Sequence, residues 1–239
     1  MEDLHRASQI AAKLPAIVVK AVAALLSGDL TQVSDLFTEC QESLESERSG
    51  YLLRCVIDDL KYLQGEVHKL TQTQEEYLST DWVALLFDAD KKARATRAKS
   101  RIERIAKILC SSIRIEPTPL ADQTEEMMRI AMEMADQDVF VLKRLRGAVD
   151  KYQHLAADAL HILAVPDVPG VKPDSVLGIC GKLQSLGLIS TAQQHAIALK
   201  LSSYPSGGGF ILLDRAEAFL GFIADSDIDR EPSSRVTSV

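Results

Sequence analysis

The chain has 239 residues and a net charge of −7, with 46% apolar and 26% charged side chains. That is enough apolar material for one large domain or two small ones, and it excludes a disordered chain, a collagen-like fibre and a disulfide-stapled mini-protein. With only six Phe, five Tyr and one Trp, the core must be mainly Leu, Ile, Val and Ala, which suits packed helices.

From Leu4 to Leu26 the polar residues Arg6, Gln9, Lys13, Lys20 and Ser27 project onto one narrow stripe of a helix. A helix so nearly apolar all round is expected at the centre of a bundle. The sharper alternative is insertion at a membrane surface, with Lys13 and Lys20 at the headgroups. Pro15 is a kink point and Gly28 a stop. Lys13, Pro15 and Lys20 interrupt the most apolar stretch, so no transmembrane segment is expected. Met1-Glu2-Asp3 is not the basic start of a secretory signal.

A second helix is predicted from Thr31 to Glu47, with an acidic outer face and a break at Ser49-Gly50. Leu53, Val56, Leu60, Leu63, Val67 and Leu70 then alternate spacings of three and four, a coiled-coil seam of nearly three heptads. Ser79-Thr80-Asp81 offers capping chemistry for a new helix from Trp82 to about Ile113. The short break between two long amphipathic helices predicts an antiparallel hairpin. Apolar surface left over from that seam would favour a two-fold dimer.

Glu116-Pro117-Thr118-Pro119 stops the helix and marks a domain joint. The predicted organisation is a helical bundle over 1–116, a second helical domain over 120–224 and a disordered polar tail over 225–239. In the second domain, Thr124–Ala135 is a helix whose methionines read as adaptable core rather than a peptide-binding surface. A short helix from Val139 ends near Gly147, and another runs from Asp150 to Leu163. A third opens at Pro173 or Asp174 and runs to Leu186, where Gly187 stops it. Ile197–Leu201 and Phe210–Leu213 are candidate strands joined by Gly207-Gly208-Gly209. Asp214 is expected to cap a last helix, Arg215–Ile223.

Three helices, the segment KLQSLGLIS, a glycine-rich turn, the strand GFILLD and a closing helix together resemble a winged-helix domain over 138–224. Leu183, Leu186, Gly187, Leu188, Ile189 and the Ser206–Gly209 turn carry the resemblance. The segment FDADKKARATRAKSRIERIAKIL is similar to a stretch in uncharacterised bacterial helical proteins that precedes such a domain. The fold class is therefore mainly α, with an N-terminal bundle containing a long antiparallel hairpin and a C-terminal winged-helix-like domain with a small β-hairpin. The resemblance implies that the helix over 174–186 would enter a major groove and that the wing would touch backbone. That helix offers only Lys182, with Lys172 just before it, and the wing from Ser202 to Gly209 has no basic residue. Winged helices also serve as protein-interaction modules.

The most informative charge feature lies at 91–115, where nine basic side chains face one acidic residue between two acidic stretches. Lys91, Lys92, Arg94, Arg97, Lys99, Arg101, Arg104 and Lys107 are the candidate phosphate or nucleic-acid contacts. The bland reading makes them a solvated face with ion pairs to acidic neighbours. No aromatic alternates with them, so base stacking is not suggested. His154, Asp158 and His161 share one helix face, with Asp150 a turn earlier, but that face is opposite the apolar one and reads as solvated rather than metal-binding. Gly207–Gly209 reads as a turn rather than a phosphate loop. His5, His68 and His195 are too scattered to pair with a nucleophile by sequence. Thr237-Ser238-Val239 matches a carboxyl-terminal ligand pattern, although so short a pattern arises often by chance.

Cys40, Cys55, Cys110 and Cys180 form no CxxC pair and read as reduced, buried small hydrophobes in a cytoplasmic protein. The expectation is a non-enzymatic interaction or scaffold protein that self-associates, with an unknown protein partner and no cofactor or metal. A nucleic-acid-binding regulator using 91–107 and a hydrolase with a noncontiguous site are the alternatives.

Overall fold

The computed structural model describes residues 47–66, 72–114, 121–152, 168–191, 193–194 and 209–224. The predicted first helix and the segment 31–46 lie outside these residues, as do 153–167, Ile197–Leu201, the Gly207-Gly208 turn and the tail.

Helix α1, Glu47–Glu66, starts earlier than expected and carries Ser49 and Gly50 inside its first turns. Both are buried, so this pair does not break the helix. Leu53, Val56 and Leu60 of the heptad pattern are buried within the chain. Helix α2, Gln72–Ser79, follows, with Gln74 and Tyr77 buried. Thr80 does not cap the next helix with its side chain. Its hydroxyl donates instead to the Glu76 carbonyl at 2.9 Å, closing the end of α2.

The helix expected over Trp82–Ile113 is two helices, α3 (Asp81–Ala95) and α4 (Lys99–Arg114). The break has a local cause. Buried Thr96 is extended, and its hydroxyl accepts the Ala98 N–H at 3.2 Å, so the side chain competes with helix continuation. The chain reverses, and Trp82 near the start of α3 donates from Nε1 to the Leu109 carbonyl near the end of α4 at 2.9 Å. Helix α1 is antiparallel to α3, since Arg48 reaches the Arg94 carbonyl at 2.7 Å. It is parallel to α4, its most extensively packed neighbour, since Tyr51 meets Glu103 and Val56 meets Cys110.

Helix α5 is Ala121–Glu133 and α6 is Asp136–Tyr152. Met127, Met128 and Met134 are buried, as a core role for these methionines requires. Helix α6 passes through Gly147 without ending there, so the separate helices expected on either side of 147–150 are one element as far as Tyr152.

Helix α7, Pro173–Ser185, has Pro at its first position, where the missing N–H costs nothing. It ends in a Schellman motif. Gly187, at φ +67, donates to Gln184, and Leu188 donates to the Leu183 carbonyl, both at 3.0 Å. The buried pair Leu183 and Leu188 gives the motif its usual apolar contact. Strand β1 is Ile189–Thr191 and pairs antiparallel with β2, Phe210–Leu212, in the register Ile189 to Leu212 and Thr191 to Phe210. Helix α8, Asp214–Phe222, follows. Leu213 is its N-cap and no side chain caps it, so Asp214 sits in the first turn rather than at the cap.

The described part is thus mainly α with one small antiparallel sheet. One buried cluster runs from Leu52 to Ile223. Helix α8 is tied to α4 by the Ser111 hydroxyl, which donates to the Phe222 carbonyl at 2.9 Å. The Arg215–Glu126 and Arg146–Glu217 ion pairs, each at 3.1 Å, tie it to α5 and α6. Among the described residues no helix is long and apolar enough to cross a membrane.

Candidate functional site

The structure places the eight basic residues of 91–107 in different environments. On α3, Lys92 pairs with Asp88 and Arg94 with Asp90, each one helical turn back. Lys99, at the start of α4, lies with its ammonium 5.3 Å from the centre of the Tyr51 ring. Arg101 donates from Nε to the Met134 carbonyl at 3.2 Å. Arg104 is only 3% exposed. Lys107 is also buried. Lys91 and Arg97 are exposed and form no ion pair among the described residues. The run is therefore not one continuous cationic stripe.

Arg101 and Arg104 converge on the α5–α6 junction. Arg104 donates from Nη2 to the Met134 carbonyl at 2.8 Å and from Nη1 to Asp136 at 2.6 Å. Met134 follows the last residue of α5, where carbonyls lack helical partners and the dipole is negative, so two guanidinium groups suit the position. Burial raises the Asp136 carboxyl, but hydrogen bonds from Arg104 and Ser100 outweigh that and hold it below the usual range. Asp138 accepts the Ala135 N–H at 2.7 Å, the backward half of a capping box at the start of α6. The same carboxylate pairs with Lys182 of α7 at 2.5 Å. The one basic residue of the helix expected to enter a groove is thus held against α6.

A second cluster, which the sequence pattern did not single out, lies between α1 and α4. Tyr51, Cys55 and Asp59 recur every four residues on α1, and Glu103, Lys107 and Cys110 recur at four and three on α4. The Tyr51 hydroxyl donates to Glu103, and that hydrogen bond, with burial adding to it, raises the phenol far above its ordinary range. Burial pushes the Cys55 thiol up to about 11, with Glu103 adding to it. Burial likewise raises Cys110, whose Sγ lies 3.6 Å from the Val56 carbonyl. Burial raises Asp59 to about 6 against the pull of the Lys107 ammonium, with Asp58 adding to the rise. Thiols held protonated in this way are poor nucleophiles. The helical repeats were visible in the sequence, but the parallel pairing that unites them depends on the break at Thr96.

Cys55, Cys110 and Cys180 carry free thiols. No group of three or more His, Cys, Asp or Glu side chains suited to a metal occurs among the described residues. His154, Asp158 and His161 lie outside those residues, as do His5, His68, His195, Cys40 and Thr237-Ser238-Val239, and Asp150 is described only in its backbone. No known protein family, curated protein or solved structure matches the chain.

Proposed function

We propose that the protein is a non-enzymatic interaction or scaffold module that associates with itself and with a protein partner. The observation that carries this reading is the exposure of Phe140 on α6, at 41%, and Leu177 on α7, at 48%. They are the large apolar side chains left open among the described residues, on two helices that pack on each other. Burying such a side chain contributes about 1.5–3 kcal/mol, so two of them form a useful anchor for association. The Arg144 guanidinium over the Phe140 ring, 5.1 Å from its centre, adds the polar margin common at interfaces.

The internal ties of Arg101, Arg104 and Lys182 support this reading over a nucleic-acid regulator, because those cations hold helices together. The order α7, β1, β2, α8 supports a winged-helix-like domain acting as an interaction module. Reduced thiols at Cys55, Cys110 and Cys180 support a cytoplasmic location.

Sedimentation velocity over a micromolar concentration series tests the reading. The wild-type chain is expected to shift towards a dimer, and Phe140→Ser with Leu177→Ser to remain monomeric with an unchanged circular dichroism spectrum. A wild-type chain that stays monomeric throughout overturns self-association, and a double variant that dimerises as the wild type does removes these residues from the interface.

A further inference from the structure

Three elements bring cations to one corner of the molecule. Arg48, in the first turn of α1, reaches across to the carbonyl of Arg94, next to last in α3. Arg97 stands exposed in the reversal between α3 and α4. Lys99 opens α4, whose first turn has no acidic residue. Tyr51 joins these parts, since Lys99 lies 5.3 Å and Arg54 5.8 Å from the centre of its ring. Lys91, one turn before the end of α3, is exposed and, like Arg97, has no ion pair among the described residues.

We propose that this α3–α4 corner is a docking surface for an acidic polypeptide segment of a partner protein. The charge is drawn from α1, α3 and α4, and the part carried by Arg48, Arg54 and Lys99 is held by contacts within the fold. The Arg48 contact holds α1 against the end of α3, and the Tyr51 ring holds Arg54 and Lys99 in place. Cations placed before the partner arrives lose less freedom on binding.

The pattern favours a polypeptide over nucleic acid. Asp90 and Glu103 lie among these cations, on Arg94 and Tyr51 respectively. A polypeptide can place its carboxylates between such groups, whereas a uniform line of phosphates would meet them as like charges. With Arg54 and Lys99 at the Tyr51 ring, base stacking there would have to displace a cation.

Lys91 and Arg97 are distinct from Phe140 and Leu177, so each pair can be varied while the other is kept, and peptide binding is read apart from self-association. The probe is a fluorescein-labelled peptide of Glu-Gly-Ser repeats, whose carboxylates are spaced, followed by anisotropy with the full chain beside a labelled DNA duplex of similar charge. Peptide binding is expected to weaken about fivefold or more between low and physiological salt, because exposed charges are screened. Lys91→Glu with Arg97→Glu should weaken it by at least a similar factor, while sedimentation stays as in the wild type. Lys91→Gln with Arg97→Gln should fall between the two and guards against a folding defect of the charge reversal. Absence of peptide binding, indifference to both variants, or tighter binding of the duplex than of the peptide would each overturn the proposal.

Discussion

The Arg104 guanidinium donates to the Met134 carbonyl at 2.8 Å and to Asp136 at 2.6 Å while only 3% exposed. A residue of the basic run thus closes the end of one helix and the start of the next. Removing it leaves the buried Met134 carbonyl with only the longer contact from Arg101, at 3.2 Å, and opens a cavity around the lost side chain. Asp136 is largely exposed and can rehydrate, so Arg104→Ala should cost about 2–4 kcal/mol. Arg129→Ala removes only solvent-facing pairs with Glu126 and Glu133 on the same helix and should cost about 0–1 kcal/mol. Urea unfolding followed by circular dichroism separates the two, and equal losses would show that the Arg104 contacts do not hold the junction.

Trp82 is the only tryptophan and is almost fully buried, with its indole N–H on the Leu109 carbonyl. Its fluorescence should be blue-shifted and resistant to acrylamide quenching until the chain unfolds. Trp82→Phe keeps most of the apolar volume and removes the indole hydrogen bond, while the Leu109 carbonyl still accepts from the Ser112 hydroxyl at 2.7 Å, so the expected loss is about 0.5–1.5 kcal/mol. An emission maximum typical of water in the folded protein would contradict the α3–α4 packing.

The mainly helical texture was legible because apolar residues recur at helical spacing, and Leu53, Val56 and Leu60 are buried as that spacing implied. Gly187 was readable as a helix stop because few other residues accept its backbone conformation. Thr96 was not legible as a break, since Ala95, Ala98 and Ile102 continue a helical pattern across it and the competing hydrogen bond is local to one hydroxyl. Missing that reversal hid the parallel pairing of α1 with α4, and with it the meeting of Tyr51 with Glu103. It also hid the inward aim of Arg104, because a charge pattern alone does not show which helix end lies opposite.

Gly187 supplies a compact test of the α7 terminus. Its φ of +67 disfavours any side chain, and an added Cβ would lie 3.0 Å from Nη1 of Arg215. The arginine end can move, so the backbone term dominates, and Gly187→Ala should cost about 1–2 kcal/mol. Gly178→Ala, in the middle of the same helix with open space for its Cβ, should instead stabilise by about 0.4–1 kcal/mol. Thermal melts of the two variants should move in opposite directions, and a shared direction would remove the Schellman assignment.

The Asp59 carboxyl makes stability depend on pH in a direction opposite to that of a salt-bridged acid. Burial, the Lys107 ammonium and Asp58 together leave it at about 6, above its ordinary 3.8, with the Cys55 and Cys110 thiols also nearby. Well below pH 3.8 the group is protonated in both folded and unfolded chains and contributes nothing. As pH rises from about 4 to 6 the unfolded chain loses this proton first, so the folded state binds more protons and loses stability. Above about pH 6 the whole penalty is present. A shift of about two units corresponds to about 3 kcal/mol, which solvent screening at this partly exposed carboxyl reduces to about 1–2 kcal/mol. Asp59→Asn keeps the shape and removes the charge, and the pull of Lys107 is already contained in the net upward shift. The variant should therefore be more stable than the wild type by about 1–2 kcal/mol at pH 7.5 and nearly equal to it at pH 4. Urea titrations at half-unit intervals of pH would show the difference opening between pH 4 and 6. A difference that stays constant with pH, or that favours the wild type at pH 7.5, would mean that Asp59 is not held as a buried acid between α1 and α4.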